Sequence, residues 1–204
     1  MEPFRRLDAV VACPLPLANV DTDQLIPARF MKQPRAAGYG GFLLHDLRFD
    51  TDGTSRGLAL DDPAFAGARV LVARRNFGSG SSREAAVYAL VDFGFRCVIA
   101  PSFGDIFASN AVNNGLLPAR VDDAAAERLL GRTAAGHRVS IDLAERTIGC
   151  DGETIPFAVD DVWRTKLLNG WDDIDLTLSH TEAVRAFAAE RAAMYPWSLP
   201  RDRG

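Results

Sequence analysis

One turn links the two clearest patterns in this chain, and it reads Asn76-Phe77-Gly78-Ser79-Gly80-Ser81-Ser82-Arg83-Glu84. The residues just before it, 68–73, form a short apolar run with two valines, which is typical of a buried strand. Just after it, apolar residues recur at helical spacing, at Ala85, Ala86, Ala89, Leu90 and Phe93. The sequence therefore predicts a strand, a glycine-containing turn and a helix in direct succession.

The residue types in this turn favour binding of an anion where the helix begins. Ser81 and Glu84 have the spacing of a capping box, which predicts a helix start at Ser81 or Ser82. A helix N-terminus carries roughly half a positive charge and unpaired N–H groups, and Arg83 adds a guanidinium suited to a carboxylate or a phosphate. The alternative is a purely structural turn, in which the glycines supply positive φ angles and the serines only cap the helix.

Three better-known glycine-containing motifs do not match this turn. A dinucleotide-binding loop needs a third glycine where this chain has Arg83, and a P-loop needs a lysine that does not follow here. A nucleophile elbow has glycines two residues on either side of its serine, whereas Ser79 has them one residue away. The predicted anion site is therefore of another type.

Strands and helices alternate around the turn in an order that predicts a mixed α/β fold. Strand-like runs at 68–73, 96–100 and 117–121 enclose helical patterns after Ser81 and at 104–114. Such a β-α-β-α-β order predicts a parallel sheet flanked by helices.

The other patterns complete one predicted domain over residues 1–204. A first strand is predicted at 7–13, and the glycine-punctuated segment 32–63 is predicted to be a mobile loop. A helix at 122–133 is followed by three strands within 139–157, with a hairpin turn at Asp151-Gly152. Two helices, at 160–169 and 181–194, close the chain. Residues 181–204 are expected to form a C-terminal helix and tail.

Composition narrows the classes of function. A formal net charge of −4 and the lack of a basic patch argue against nucleic acid as a partner. No apolar run approaches the ~20 residues of a membrane span and no signal peptide is visible, so we expect a cytoplasmic location. Cys13, Cys97 and Cys150 are widely spaced in the sequence, and we expect them to be buried thiols. An iron–sulfur cluster needs about three or four thiolates brought together, and this spacing does not indicate one.

Three segments taken together resemble one protein family. The family's motifs occur here in the same order and at the same spacing. The first is Asn19-Val20-Asp21-Thr22-Asp23-Gln24-Leu25-Ile26-Pro27, and the second is the turn at 76–84. The third is 100–118, which starts Ala100-Pro101-Ser102-Phe103-Gly104-Asp105 and ends Asn113-Asn114-Gly115-Leu116-Leu117-Pro118. Over nearly its whole length the chain resembles the small subunits of 3-isopropylmalate dehydratase, which are the detached swivelling domain of the aconitase superfamily. The resemblance implies a β/β/α-type swivelling domain with a mostly parallel central sheet.

The same resemblance implies an aconitase-like isomerisation, in which water leaves a hydroxy-dicarboxylate to give an alkene and returns to the neighbouring carbon. It implies that Ser81 is the catalytic base and Arg83 the carboxylate clamp. It further implies substrate contacts from Gly80, Ser82, Arg35 and Asp23. The family uses a [4Fe–4S] cluster with an open iron as a Lewis acid, on cysteines of the large subunit. This chain is therefore expected to bind no metal itself and to work in a heterodimer or larger assembly with a large subunit.

Two departures from the family's usual sequence leave the exact substrate open. The usual Arg-Glu-His-Ala is Arg83-Glu84-Ala85-Ala86 here, and the usual Thr-Arg-Thr-Gly is Arg35-Ala36-Ala37-Gly38. The leading expectation is interconversion of 2-isopropylmalate and 3-isopropylmalate through 2-isopropylmaleate in leucine biosynthesis. The alternatives are a related acid, namely citraconate/methylmalate or dimethylmalate, and a non-catalytic anion-binding module of the same fold.

Recognition of the substrate's side chain is predicted to involve residues 29–44. This segment is glycine-rich and could close over a bound acid, with Phe30, Tyr39 and Phe42 as apolar walls. A plain surface or subunit-contact loop is the alternative.

Overall fold

The computed structural model describes residues 1–198, in which eight strands form two four-stranded sheets. In chain order the strands are β1 (Arg6–Val10), β2 (Ala12–Leu15), β3 (Val70–Ala73), β4 (Cys97–Ala100), β5 (Leu117–Arg120), β6 (Val139–Asp142), β7 (Thr147–Cys150) and β8 (Glu153–Pro156). The parallel sheet has the order β2-β3-β4-β5 and the antiparallel sheet the order β1-β6-β7-β8. The predicted mixed α/β class with a parallel central sheet is confirmed.

Helices of the described part connect and cover these strands. The α-helices are α1 (Thr22–Leu25), α2 (His45–Arg48), α3 (Glu84–Phe93), α4 (Asp105–Asn113), α5 (Asp123–Ala134), α6 (Asp161–Asn169), α7 (Asp173–Leu178) and α8 (Thr181–Met194). Short 3-10 turns occur at Ala28–Lys32, Arg35–Ala37, Tyr39–Phe42, Ala59–Asp61, Pro63–Phe65 and Pro196–Ser198.

The parallel sheet is covered on both faces, which explains its continuous apolar sequence. Every residue of β3 and of β4 is buried, as expected for parallel strands with layers on both sides. One face shares a core with α5 and the antiparallel sheet. The other face packs against α3, α4 and the segment between β2 and β3. The carboxyl ends of β3 and β4 therefore meet at one edge of the sheet, where the turn at 76–83 lies.

The predicted first strand at 7–13 is wrong in one respect, because it is two strands in different sheets. The chain changes sheet at Val11, after a register irregularity between Leu7 and Val10 in which Ala9 has φ 46°. Pro14 lies inside β2. β2 is an edge strand of its sheet, and an edge position tolerates a residue without a backbone N–H.

The predicted hairpin near the C-terminal third of the chain is confirmed. β7 and β8 pair antiparallel and are joined through Asp151 and Gly152, both with positive φ (50° and 75°). Positive φ at both central residues is the geometry of a type I′ turn, which matches the twist of antiparallel strands. A further helix, α7, was not predicted, since its sequence carries little apolar periodicity.

The segment 32–63 is irregular, as predicted, but it is partly built into the core. Leu43 and Leu44 are fully buried, and Arg48 donates to Asp61 through a mostly buried ion pair. Gly40 approaches the end of α3 so closely that an added Cβ would lie 2.7 Å from backbone atoms of Asp92. Mobility of the segment stays a prediction, with its middle packed on α3 in this conformation.

The assignment of residues 1–204 to one domain also stays a prediction, and residues 199–204 of the predicted tail lie outside the described part. Within residues 1–198 no helix combines the length and the apolar character that a bilayer crossing requires.

Candidate active site

The turn that follows β3 is held between the segments that follow β2 and β4. Isolated parallel bridges pair Ser79 with Asp21 and Phe77 with Phe103. The Phe77 N–H donates to the Ser102 carbonyl at 3.0 Å, and the Gly104 N–H returns to the Phe77 carbonyl at 2.9 Å. The three family segments found in the sequence are therefore neighbours at one edge of the sheet.

Thr22 fixes the backbone of the turn from the α1 side. Its backbone N–H donates to the Ser79 carbonyl at 2.9 Å, and its hydroxyl donates to the Ser81 carbonyl at 2.9 Å. The Gly78 N–H donates to the Val20 carbonyl at 2.7 Å. Thr22 is itself buried and begins α1, whose N-cap Asp21 forms a reciprocal capping box with Gln24. Three hydrogen bonds from the segment 20–22 and to it thus hold the turn in place.

Aromatic packing beneath the turn makes Gly78 sterically necessary. Phe77, Phe103 and Phe107 form a cluster with ring centroids 5.4–6.4 Å apart. A Cβ on Gly78, which has φ 72°, would lie 2.2 Å from Cγ of Phe107. Gly104 is comparably confined, since its Cβ would meet the Gly78 carbonyl oxygen at 2.5 Å. The two glycines let the turn lie directly on the aromatic cluster.

We expect Gly78→Ala to destabilise the protein more than a positive φ alone explains. Gly53→Ala is the matched control, because Gly53 has φ 84° but no atom within 4 Å of its Cβ position. A left-handed alanine costs about 1–2 kcal/mol, and overpacking a core adds about 1–3 kcal/mol. Urea unfolding followed by circular dichroism measures both variants. Equal losses in free energy of unfolding would show that the Phe107 contact can relax.

The start of α3 differs from its prediction. The helix begins at Glu84, with Arg83 as its N-cap in an extended conformation (φ −118°, ψ 103°) and without a side-chain cap. The predicted capping box of Ser81 and Glu84 is therefore wrong. The Glu84 carboxylate instead accepts from Nδ2 of Asn114 at 3.0 Å, at the end of α4. Because Thr22 holds the Ser81 carbonyl, residues 81 and 82 remain outside the helix.

The absence of a cap leaves donors available at this helix end. Within the described part, the backbone N–H groups of Ser81, Ser82 and Arg83 donate to no protein atom, and neither do the two serine hydroxyls. Both serines are exposed. Such N–H groups at the positive end of a ten-residue helix can bind an anion. The purely structural reading, in which the serines cap α3, does not describe this arrangement.

A small cavity lies beside Ser81. It has a volume of about 190 Å³ and is lined by Gly78, Gly80, Ser81, Gly104, Asp105, Ile106 and Phe107. Ile106 is 54% exposed. Sequence reasoning did not single out Asp105 and Ile106 as site residues. Their position at the start of α4, after the short loop that follows β4, was the available signal, because ligands of open α/β sheets bind at the carboxyl ends of neighbouring strands.

An ion pair joins Arg83, two residues after Ser81, to Asp23 in α1. Nη1 of Arg83 donates to Oδ1 of Asp23. The Arg83 side chain is 21% exposed and that of Asp23 is 56% exposed. Nη2 and Nε of Arg83 have no partner among residues 1–198, so the guanidinium keeps donors for a second carboxylate. Asp23 thus orients Arg83 while leaving part of it available.

Arg35, the remaining predicted substrate-binding residue, lies elsewhere. Its guanidinium donates to both carboxylate oxygens of Asp92 at 2.6–3.2 Å and stacks 4.0 Å over the ring of Tyr88. Asp92 is eight residues beyond Glu84 on α3, a distance of about 12 Å along the helix axis. The structure therefore does not bring Arg35 to the turn, and its substrate contact stays a prediction.

The candidate apolar walls pack on one another in this conformation. Phe30 and Phe42 stack with ring centroids 4.3 Å apart, and Tyr39 is buried with its hydroxyl donating to the Gln33 carbonyl at 2.9 Å. Their role in recognition also stays a prediction.

The cysteines of this chain do not fit an iron–sulfur cluster. Cys13, Cys97 and Cys150 are all buried, and burial together with Asp61 and Asp62 raises the pKa of Cys13 to about 12. Burial likewise raises the pKa of Cys97. Thiolates are the ligand form, and these environments disfavour them. No three His, Cys, Asp or Glu side chains in residues 1–198 converge as a metal site.

Comparison with known proteins gives the family. The aconitase C-terminal domain family matches residues 2–124, and the C-terminal domain family of the 3-isopropylmalate dehydratase small subunit matches residues 173–201. The chain is 46% identical to the 3-isopropylmalate dehydratase small subunit of Rhodospirillum centenum over 203 residues, covering 98% of this chain and 100% of that protein. The small subunit from Jannaschia sp. is 46% identical over 201 residues, covering 97% and 100%.

A solved structure agrees with this assignment. The crystal structure of 3-isopropylmalate dehydratase from Methanocaldococcus jannaschii superimposes with a TM-score of 0.60 at 26% identity, covering 88% of this chain and 97% of that one. The resemblance found in the three sequence segments is confirmed over the length of the protein. The chain belongs to the family of 3-isopropylmalate dehydratase small subunits.

Proposed function

We propose that this chain is the small subunit of a heteromeric hydro-lyase that interconverts 2-isopropylmalate and 3-isopropylmalate in leucine biosynthesis. The reaction removes water to give 2-isopropylmaleate and adds it back with the hydroxyl on the neighbouring carbon. The observation that carries the proposal is the exposed Ser81 hydroxyl at the uncapped start of α3, beside Arg83. Relatives named 3-isopropylmalate dehydratase small subunit match the chain nearly end to end.

The positive end of α3 and Arg83 are suited to the charge that develops in this reaction. The proton to be removed lies next to a carboxylate, and negative charge grows on that carboxylate as the proton leaves. Preorganised donors aimed at developing charge lower the barrier. The N–H groups of Ser81 and Ser82 together with Nη2 and Nε of Arg83 are such donors. We therefore assign the substrate carboxylate to the space between the turn and Arg83.

Ser81 is proposed as the base that takes this proton. A serine hydroxyl is a weak base, and its use requires surroundings that stabilise an alkoxide. The helix end, the neighbouring N–H groups and Arg83 supply positive potential at this position. No protein acceptor or donor in the described part competes for the hydroxyl. Gly80, with φ 92°, and Ser82 are assigned to substrate contacts on the same turn.

Departure of hydroxide is assigned to the large subunit. A [4Fe–4S] cluster held there would act as a Lewis acid on the leaving hydroxyl, and the buried thiols described above do not fit that role in this chain. The relatives are named small subunits, which supports the existence of a large partner subunit. A cytoplasmic location is proposed with it, as for an enzyme of amino-acid biosynthesis.

The departure at Ala85 does not favour the alternative functions. Ala85 is half-buried and packs against the core cluster beneath α3. The imidazole that usually stands there is therefore lost from the packed side of the helix, and the turn with Ser81 and Arg83 is unchanged. A related acid is the second candidate, because residues 29–44, which are proposed to contact the substrate's side chain, depart from the family's usual sequence at 35–38.

Assembly and kinetics test the proposal. Anaerobically purified chain alone is expected to contain no stoichiometric iron or sulfide and to show no dehydratase activity, and both should appear once the cluster-bearing large subunit is added. The complex should give a higher kcat/KM for isopropylmalate than for methylmalate. A pocket discriminates about 1–3 kcal/mol per methylene, so a graded preference is expected. Indifference to isopropylmalate would favour a related acid, and an iron cluster in the lone chain would contradict the assignment.

A further inference from the structure

Large exposed apolar side chains are concentrated in the C-terminal helices of this chain. Ten such side chains occur in residues 1–198, and seven of them lie between residues 174 and 197. Those on the two last α-helices are Ile174 (68% exposed), Leu178 (61%), Val184 (52%), Phe187 (64%) and Met194 (58%). We call α7 and α8 together the terminal arm. Large contiguous apolar patches are rare on monomeric soluble proteins and usually mark an interaction site.

The large apolar residues of α8 lie on one face. Val184, Phe187 and Met194 are spaced three and seven residues apart, which places them along one side of the helix, together with Arg191. No residue of α8 is buried. No side-chain hydrogen bond or ion pair of 181–194 reaches residues 1–177 within the described part. Packing against this chain's own core therefore does not account for the stripe.

The base of the arm, in contrast, is firmly attached. Lys166 is buried, and its ammonium donates to Asp173 at 2.5 Å and to Asn113 at the end of α4. Asp172 and Asp175 form a reciprocal capping box at the start of α7. The direction in which α7 leaves the domain is thus fixed by side-chain contacts, so the exposed stripe is presented at a defined place.

We propose that the terminal arm is the hydrophobic anchor that binds the large subunit. The proposal rests on the proposed function, since the large subunit is the partner which that function requires. A detached swivelling domain lacks a covalent link to the rest of the enzyme, so a non-covalent contact must supply the high local concentration that a linker would give. The family match at 173–201 is to a domain of small subunits, separate from the match at 2–124 that contains the turn.

The active-site face does not supply such an anchor. Among the exposed large apolar side chains of residues 1–198, only Ile106 lines the cavity beside Ser81. A standard interface buries about 800 Å² on each partner and draws its affinity from buried aromatic and aliphatic anchors. In this proposal the polar, exposed residues of the turn bind the substrate, and the terminal arm supplies the affinity for the large subunit.

A pair of aspartate substitutions tests the inference on the full-length chain. Phe187→Asp introduces a charge on the apolar stripe, and Ala189→Asp, two residues further and about 160° around the helix, is the matched control on the opposite face. An aromatic anchor contributes about 2 kcal/mol or more, so the Kd for the cluster-loaded large subunit should rise about 30-fold or more with Phe187→Asp. It should change less than about twofold with Ala189→Asp. Anaerobic titration calorimetry measures both, and circular dichroism checks helix content.

Further readouts separate this inference from the proposed function. At saturating large subunit, Phe187→Asp should recover the kcat of the wild-type complex, because the arm does not touch the substrate. A wild-type complex that assembles tightly but does not act on isopropylmalate would contradict the proposed function and leave the anchor intact. An unchanged Kd for Phe187→Asp would overturn the anchor. So would sedimentation showing that the arm pairs two copies of this chain and that the substitution disrupts only that pairing.

Discussion

Ser81→Ala should lower kcat of the assembled enzyme by about 10²-fold or more, since positioned proton transfer typically contributes about 10²–10⁴-fold. The hydroxyl is exposed and makes no protein hydrogen bond in the described part, so its removal breaks no contact that stabilises the turn. The free energy of unfolding and the Kd for the large subunit should therefore stay close to the wild-type values. Steady-state kinetics on both isopropylmalate isomers, with calorimetry for assembly, measure these quantities.

Ser79→Ala is the matched control for this result. Ser79 lies two residues earlier in the same turn, and its structural contribution is the backbone carbonyl that accepts from Thr22. An alanine there keeps that carbonyl, so kcat should change little. Near-normal turnover of the Ser81→Ala complex would mean that another group takes the proton, and the base would then have to be sought in the large subunit.

Arg83→Lys should raise KM and lower kcat together, reducing kcat/KM by about 10- to 100-fold. A hydrogen bond to a charged group contributes about 1.5–3 kcal/mol, and an ammonium cannot reproduce the planar fork of a guanidinium. In the structure one arm of that fork already serves Asp23. The single nitrogen of a lysine cannot donate in all the directions of a guanidinium, so a hydrogen bond to Asp23 would compete with one to the substrate.

Arg74→Lys provides the comparison. Arg74 also makes a bidentate pair, with Glu127 at 2.6 and 3.0 Å, but it precedes the turn and faces α5. Its replacement should leave kcat/KM within about twofold, since exposed ion pairs contribute little. If Arg83→Lys changes only KM, Arg83 binds substrate and transition state equally. That result would contradict a role for Arg83 in stabilising the developing charge.

Local patterns were sufficient for most of the secondary structure. The strands around the turn are short apolar runs and the helices have a period of 3.6 residues, and apart from the start of α3 these elements lie where they were predicted. The first strand was mispredicted because a continuous apolar run carries no mark of a change of sheet. That change depends on partners more than a hundred residues away in β6. The helix α7 was missed because its stability comes from Asp172 and from the contact of Asp173 with Lys166.

The site shows the same division. The chemistry proposed for Ser81 and Arg83 is based on residue types, their order and the family resemblance. The predicted capping box did not form, since the hydroxyl of Thr22, 59 residues away, holds the Ser81 carbonyl outside the helix. Arg35 was expected at the substrate but binds Asp92, because its segment packs along α3 beside Gly40. A spacing in sequence does not tell which of several carboxylates a long arginine side chain will reach.

The sequence by itself determined the fold class, the family, the strand-to-helix turn and the residues that carry the proposed chemistry. Each of these depends on short-range periodicity or on a motif that is contiguous in the chain. Only the tertiary structure decided that α3 starts at Glu84 with unpaired N–H groups before it, that Asp23 orients Arg83, and that the stripe on α8 faces away from the core. These features depend on which distant segments compete for the same donors, acceptors and apolar surfaces, and that competition is settled only when the chain is packed.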